Sequence, residues 1–298
     1  MQTLAALPIA RPRRRAWLPA AWPVLLTAAV VLSANLAPWE RMWLIAVALF
    51  AGFKVWTLRS VLASGVRTTP ARAAAYLLLW PGMDARRFLS DGASVPRPRP
   101  LAWSWAAAKT ILGTALLWLG ARQAGNVLLA GWVGMIGLIF LLHFGVFALL
   151  ALFWQRLGID ARPLMNCPIA AGSLRDFWGR RWNAGFRDIV YSLFFVRLAR
   201  ICGAGTATLL TFAFSGLLHE LVITVPAGAG YGLPTLYFLL QGAAQVAERS
   251  PTLAPRLNGW RGRAFALAVV TLPIFALFPP AFVFRVMIPF FRVIHALP

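Results

Sequence analysis

The sequence predicts an all-α, polytopic membrane helical bundle of about eight spans, with short interfacial or re-entrant helices between them. Three observations carry that expectation. Of 298 residues, 60% are hydrophobic and 12% charged, about half the charge of a soluble domain. Eight apolar runs approach the ~20 residues that cross a bilayer. The basic residues gather in alternate loops, as the bias of cytoplasmic loops toward Lys and Arg requires.

In chain order, the runs lie at about 20–38, 41–58, 101–120, 124–154, 203–225, 233–248, 264–279 and 281–296. The first follows a basic tail (1–18), and its apolar stretch is longer than that of a cleaved signal peptide, which suits an uncleaved anchor. Two further pieces, 73–82 and 188–198, are too short to cross and are expected at the interface or as re-entrant segments. The charge is lopsided, with 29 basic against 8 acidic residues for a net +21, and all the basic residues except Lys54 and Lys109 are Arg. In a soluble chain this would suggest nucleic acid; in a membrane protein it points to cytoplasmic loops and anionic partners such as lipid headgroups or phosphorylated cofactors. An eight-span count puts the N-terminus and the basic loops 59–72, 86–99, 156–187 and 249–263 on the cytoplasmic side. No internal repeat is evident, so 1–298 reads as one domain. The Ala- and Arg-heavy usage points to a bacterial inner membrane.

The loop 156–187 holds the most specific stretch, from Ser173 to Asn183. Ser173 and Asp176 have the spacing of a helix-start pair. On a helix continuing from there, Asp176, Arg180, Asn183 and Arg187 form one polar stripe, while Leu174, Trp178 and Trp182 form an opposite face suited to a membrane surface. An amphipathic interfacial helix accounts for this pattern, except for Asn183.

His219 and Glu220 lie side by side within an apolar span, where ionisable groups are costly and are functional candidates by default. His219 could be satisfied by a neighbouring helix or could accept a proton. Ser215 and Gly216, one turn back, would leave space beside the imidazole, and a Ser215–His219 nucleophile–base pair is a further option. His143 lacks polar neighbours one turn away and reads as a core histidine; His295 lies near the end of the chain. With three histidines and no clustered carboxylates, no protein-bound metal is expected, and Cys167 and Cys202 form no disulfide or metal pattern. Gln241 and Glu248 share a face and either line a cavity or bridge helices.

Asp176-Phe177-Trp178-Gly179-Arg180-Arg181-Trp182-Asn183, followed by Phe214-Ser215-Gly216-Leu217-Leu218-His219-Glu220, resembles the paired signature of wax-synthase-type membrane-bound O-acyltransferases. Trp80-Pro81-Gly82-Met83 and Tyr237-Phe238-Leu239-Leu240-Gln241-Gly242 resemble weaker segments of that family, so the resemblance covers roughly 75–250. It implies a helical bundle enclosing a catalytic tunnel, with acyl-CoA as co-substrate and no other cofactor, and a hydrophobic alcohol (fatty alcohol, sterol or diacylglycerol) as acceptor. His219 matches the family's catalytic histidine and Asn183 its companion asparagine. Arg175, Arg180, Arg181 and Arg187 are then expected to hold the donor's phosphates. Asp176, Trp178, Trp182, Ser215, Glu220 and Gln241 are expected around the substrates. A secondary transporter of a small anion, or a non-catalytic membrane scaffold, would use the same ionisable groups differently.

Overall fold

A computed structural model describes residues 26, 28–30, 32–90 and 95–298, and no strand occurs among them. The basic tail 1–18 lies outside the described residues, as does much of the run at 20–38. Among the described residues, four helices are long and apolar enough to cross a membrane: Pro38–Ala63, Val127–Arg156, Val196–Ala227 and Trp260–Leu277. They coincide with the runs expected at 41–58, 124–154, 203–225 and 264–279. Their outer faces present exposed Val47, Leu129, Ile201 and Leu272, the surface of an integral membrane protein facing lipid.

The other expected spans take different forms. The run at 101–120 is a 16-residue α-helix, Pro100–Ala115, prolonged by a π-type turn at Leu116–Gly120. Leu233–Ala247 has 15 residues, about 23 Å at ~1.5 Å per residue, short of a ~30 Å hydrocarbon core. The run at 281–296 is divided among Pro280–Phe282, a π-type turn at Val283–Met287, and Ile288–Val293. Apolarity alone does not distinguish these shorter segments from full crossings. The piece at 188–198 is continuous with the long helix that follows: Ala184–Val190 passes through a π-type turn at Tyr191–Phe195 into Val196–Val222. That helix kinks at Gly203, where φ 79° and ψ 162° leave the helical region.

Helix ends follow local chemistry. Pro38, Pro70 and Pro100 open their helices at a position where the missing N–H has no intrahelical role, and the Asn126 side chain accepts from Leu129 N–H at 2.8 Å. Glycines set the closest crossings. A Cβ at Gly113 would lie 2.2 Å from the backbone nitrogen of Leu141, and one at Gly137 would lie 2.7 Å from that of Leu117. The helices Pro100–Ala115 and Val127–Ile139 therefore meet backbone to backbone, the close approach that small residues permit in membranes. A second such crossing joins Val196–Val222 to Leu233–Ala247: a Cβ at Gly216 would sit 2.7 Å from Thr235 Cα, and one at Gly242 3.1 Å from Phe212 Cβ. This antiparallel pair carries His219 and forms one wall of the site.

Candidate active site

The loop begins as its sequence indicates: Ser173 Oγ accepts from Asp176 N–H at 3.0 Å. The single amphipathic helix expected beyond it does not form. A short helix, Leu174–Asp176, tightens into a π-type turn at Phe177–Arg181, Trp182 is extended, and Asn183 is left-handed at φ 42° and ψ 63°. A new helix, Ala184–Val190, starts there. The expected stripe is cut between Arg180 and Asn183, because Asn tolerates the left-handed conformation better than other L-residues with a Cβ and its side chain can cap the next helix.

Hydrogen bonds to charged groups hold the loop. The buried Asp176 carboxylate accepts from Arg180 Nε at 2.8 Å, Arg181 Nε at 2.7 Å and Gly172 N–H at 3.2 Å. Burial pushes this carboxyl up, but the bonds from Arg181 and Gly172 and the charges of Arg181 and Arg180 outweigh it and hold it below the usual range. Glu248 accepts from the N–H groups of Leu174 (2.8 Å) and Arg175 (2.9 Å), placing a carboxylate where a helix start presents unpaired donors. Gln241, fully buried, accepts from Trp178 Nε1 at 3.3 Å and donates to the Val269 carbonyl at 2.8 Å. Of the two roles open to Gln241 and Glu248, they bridge: together they fasten the loop to the helix Leu233–Ala247.

The two tryptophans turn inward instead of lying on a membrane surface. Trp182 stacks on Phe177 with centroids 5.6 Å apart, and Trp178 packs on Phe212 (5.9 Å) and Phe238 (5.7 Å). Leu174, their companion on the expected outer face, is in the core with Ala266 and Val270. The broken helix and the Trp178–Gln241 bond account for this correction, since they aim the rings at neighbouring helices. The four arginines divide. Arg181 is drawn to Asp176 and to the carbonyls of Asn166 and Cys167, and Arg187 pairs with Asp188 at 2.7 Å. Arg175 is exposed, and Arg180, with its side chain 75% exposed, keeps one edge of its guanidinium on Asp176.

Asn183 Oδ1 accepts from Phe186 N–H at 3.3 Å. The cap engages the carbonyl end of the amide and leaves Nδ2, a two-proton donor, with no bond to the protein among the described residues. The capped helix packs through Phe186 and Ile189 into a cluster with Phe214, Leu218 and Leu221, the neighbours of His219 along its helix. From the other side, Trp178 touches Phe238, and Phe238 lies 4.4 Å from the His219 ring. The two signature segments thus converge on the same stretch of the Val196–Val222 helix.

His219 is half-buried, and its Nδ1 lies 2.7 Å from the Ser215 carbonyl. A carbonyl only accepts, so Nδ1 carries a proton, and the lone pair of the neutral ring is on Nε2. Ser215 Oγ donates to the Thr211 carbonyl at 3.1 Å, which directs its proton away from His219. The space left by the missing Cβ of Gly216 is taken by the backbone of Thr235. Glu220 accepts from the Thr224 hydroxyl, from Thr235 N–H at 3.0 Å and from Thr235 Oγ1 at 2.9 Å, capping the next helix. Sequence reasoning missed Phe238 as the contact between Trp178 and His219; its signal was the Tyr237–Gly242 segment, recognisable as a pattern but silent about packing. His143 sits in a π-type turn with its Nδ1 buried and unpaired.

Residues 161–240 match the model of the Membrane bound O-acyl transferase family. Among curated proteins, the chain is similar to "Probable long-chain-alcohol O-fatty-acyltransferase 7" of Arabidopsis thaliana, at 36% identity over 35% of this chain and 33% of that protein. It is also similar to "Probable long-chain-alcohol O-fatty-acyltransferase 3" of the same plant, at 39% identity over 37% and 35%. "Long-chain-alcohol O-fatty-acyltransferase" of Simmondsia chinensis is 38% identical over 31% and 29%. The matched segments span about a third of the length of these curated relatives. The resemblance to wax-synthase-type membrane-bound O-acyltransferases is borne out over the segment that contains Asn183 and His219.

Proposed function

We propose that the protein is a membrane O-acyltransferase that moves a fatty acyl group from acyl-CoA to the hydroxyl of a long-chain alcohol, with His219 as general base and Asn183 as hydrogen-bond donor. The observation that carries this reading is the bond from His219 Nδ1 to the Ser215 carbonyl at 2.7 Å. It fixes the ring orientation and leaves Nε2 as the acceptor, the arrangement a general base requires. The names of the relatives supply the substrate class, a long-chain alcohol and a fatty acyl group.

In the proposed reaction, His219 Nε2 takes the proton of the alcohol as its oxygen attacks the thioester carbonyl. Asn183 Nδ2 donates to the oxygen on which negative charge develops, a contribution that strengthens toward the transition state. The C–S bond breaks, CoA leaves as the thiolate, and the imidazolium returns the proton to sulfur, giving ester and free CoA. Transfer is direct, because Ser215 Oγ and Cys202 Sγ each donate to a backbone carbonyl and Cys167 is exposed. Arg175 and Arg180, the least committed of the four arginines at 175–187, hold the donor's phosphates from the cytoplasmic side. Asp176, Gln241 and Glu220 shape the site from behind, and Trp178 and Trp182 wall it.

The test is turnover by the purified protein with a long-chain acyl-CoA and a panel of a fatty alcohol, a sterol and a diacylglycerol, following free thiol and the ester by mass spectrometry. Thiol release that depends on the fatty alcohol, with the wax ester as product, is expected. Absence of ester with every acceptor would overturn the reading, and uptake into vesicles without thiol release would favour transport.

A further inference from the structure

Lys54 lies inside the first long helix and is 1% exposed, yet no carboxylate lies within ion-pair distance of it among the described residues. Its Nζ donates to the Gly82 carbonyl at 2.7 Å and sits 3.4 Å from the centroid of the Tyr76 ring. The Tyr76 hydroxyl, shared with Thr57 at 2.7 Å, reaches the next carbonyl, that of Met83, at 3.2 Å. Two buried side chains therefore grip consecutive carbonyls of one turn. The other side of that turn is the seat of Gly185: a Cβ there would lie 3.3 Å from Met83 N and 3.6 Å from Gly82 Cα. Gly185 is two residues past Asn183, whose own N–H reaches Met165 Sδ at 3.3 Å, while the intervening Ala184 N–H donates to the Leu164 carbonyl at 2.9 Å.

We infer that Lys54 and Tyr76 are positioning residues, clamping the 82–83 turn so that it sets the start of the Ala184–Val190 helix and with it the Asn183 amide. A buried amine would be costly if its only role were to fill space. Its donor is used on backbone that presses against a catalytic element, and misplacing such an element by about 1 Å can cost ~100-fold in rate. The inference rests on the role proposed for Asn183.

The experiment is a double-mutant cycle in the full-length purified protein. Lys54→Met keeps the length and removes the donor; Tyr76→Phe keeps the ring and removes the hydroxyl, serving where the first variant does not fold. Each is combined with Asn183→Gly, which relieves the backbone and removes the amide. For Lys54→Met the expected result is a kcat about 10-fold lower with KM for acyl-CoA unchanged, shrinking to less than about 2-fold when Asn183 is already Gly. An equal loss in both backgrounds, or a change in KM alone, would overturn the clamp while leaving the proposed function standing. Full activity of Asn183→Gly by itself would instead remove the role of Asn183, and the clamp with it.

Discussion

The two residues assigned the chemistry sit in regions held together by different forces. His219 stands within the helix Val196–Val222, well past its kink at Gly203, in a wall built by close packing at Gly216 and Gly242 and by the ring contact to Phe238. Asn183 stands where a helix is interrupted, in a loop held by charged groups: Asp176 under two arginines, and Glu248 on two backbone N–H groups. The first region is positioned chiefly by shape, with Glu220 tying its two helices through Thr235, and the second chiefly by hydrogen bonds whose carboxylates, Asp176 and Glu248, are buried. The loop is fastened to that wall by Gln241 and Glu248, so cutting the fastening and changing the wall are separate perturbations. The comparison can be broken or sharpened on that basis.

The largest effect is expected at Asn183, where cap and donor are separable atoms of one amide. Asn183→Asp retains the oxygen that accepts from Phe186 N–H and loses the Nδ2 donor. It should keep the thermal stability of the parent while kcat falls about 100- to 1,000-fold, the loss seen when one oxyanion donor is removed. Asn183→Ala loses the cap as well and places Ala in the left-handed region, so it should be about as inactive and also less stable by roughly 2 kcal/mol. Equal kcat for Asn183→Asp and the parent would assign Asn183 to structure alone.

Next comes the loop's attachment. Glu248→Ala removes the acceptor of two N–H groups in one step, at a cost of about 2–4 kcal/mol. Trypsin should then cut between residues 175 and 181 much faster than in the parent, while the helix carrying His219 stays protected. Uniform loss of protection across the chain would show that the two regions are a single cooperative unit.

The smallest effects separate two aspartates. The Asp176 carboxyl titrates below its ordinary value of 3.8, so its stabilising contribution is complete above the ordinary range and is lost as pH falls through the depressed value. Burial raises the Asp188 carboxyl, opposed in part by Arg187. The folded protein holds that proton more tightly than the unfolded chain does, so ionising Asp188 costs stability as pH rises past 3.8. In thermal unfolding at pH 7, Asp176→Asn should cost about 2 kcal/mol, whereas Asp188→Asn should stay within about 0.5 kcal/mol of the parent or gain slightly. The reverse order would contradict the assignment of Asp176 as the loop's anchor.

The same division explains what could be read from the amino-acid sequence. Regions governed by apolar length and periodicity were legible: the four long helices fall on expected runs, and His219 was conspicuous because ionisable groups are rare there. The Ser173 cap was legible because it is local. The break at Trp182–Asn183 was not, since the helical stripe from Asp176 to Arg187 is a valid pattern until Asn183 adopts φ 42°. The inward turn of Trp178 depends on Gln241, 63 positions away, and the grip of Lys54 on Gly82 depends on a contact 28 positions away. Such pairings are tertiary facts that no local pattern encodes. Nor did apolar content reveal that Leu233–Ala247 is shorter than a bilayer crossing.

The central claim is that Nε2 of His219 takes the proton of the acceptor alcohol. It is tested most directly by single-turnover thioester cleavage in the purified His219→Ala protein, with a long-chain acyl-CoA and a fatty alcohol, alongside its thermal unfolding. The account predicts normal unfolding and a rate lower by about 100- to 10,000-fold. A folded His219→Ala protein that forms ester at the parental rate would contradict it.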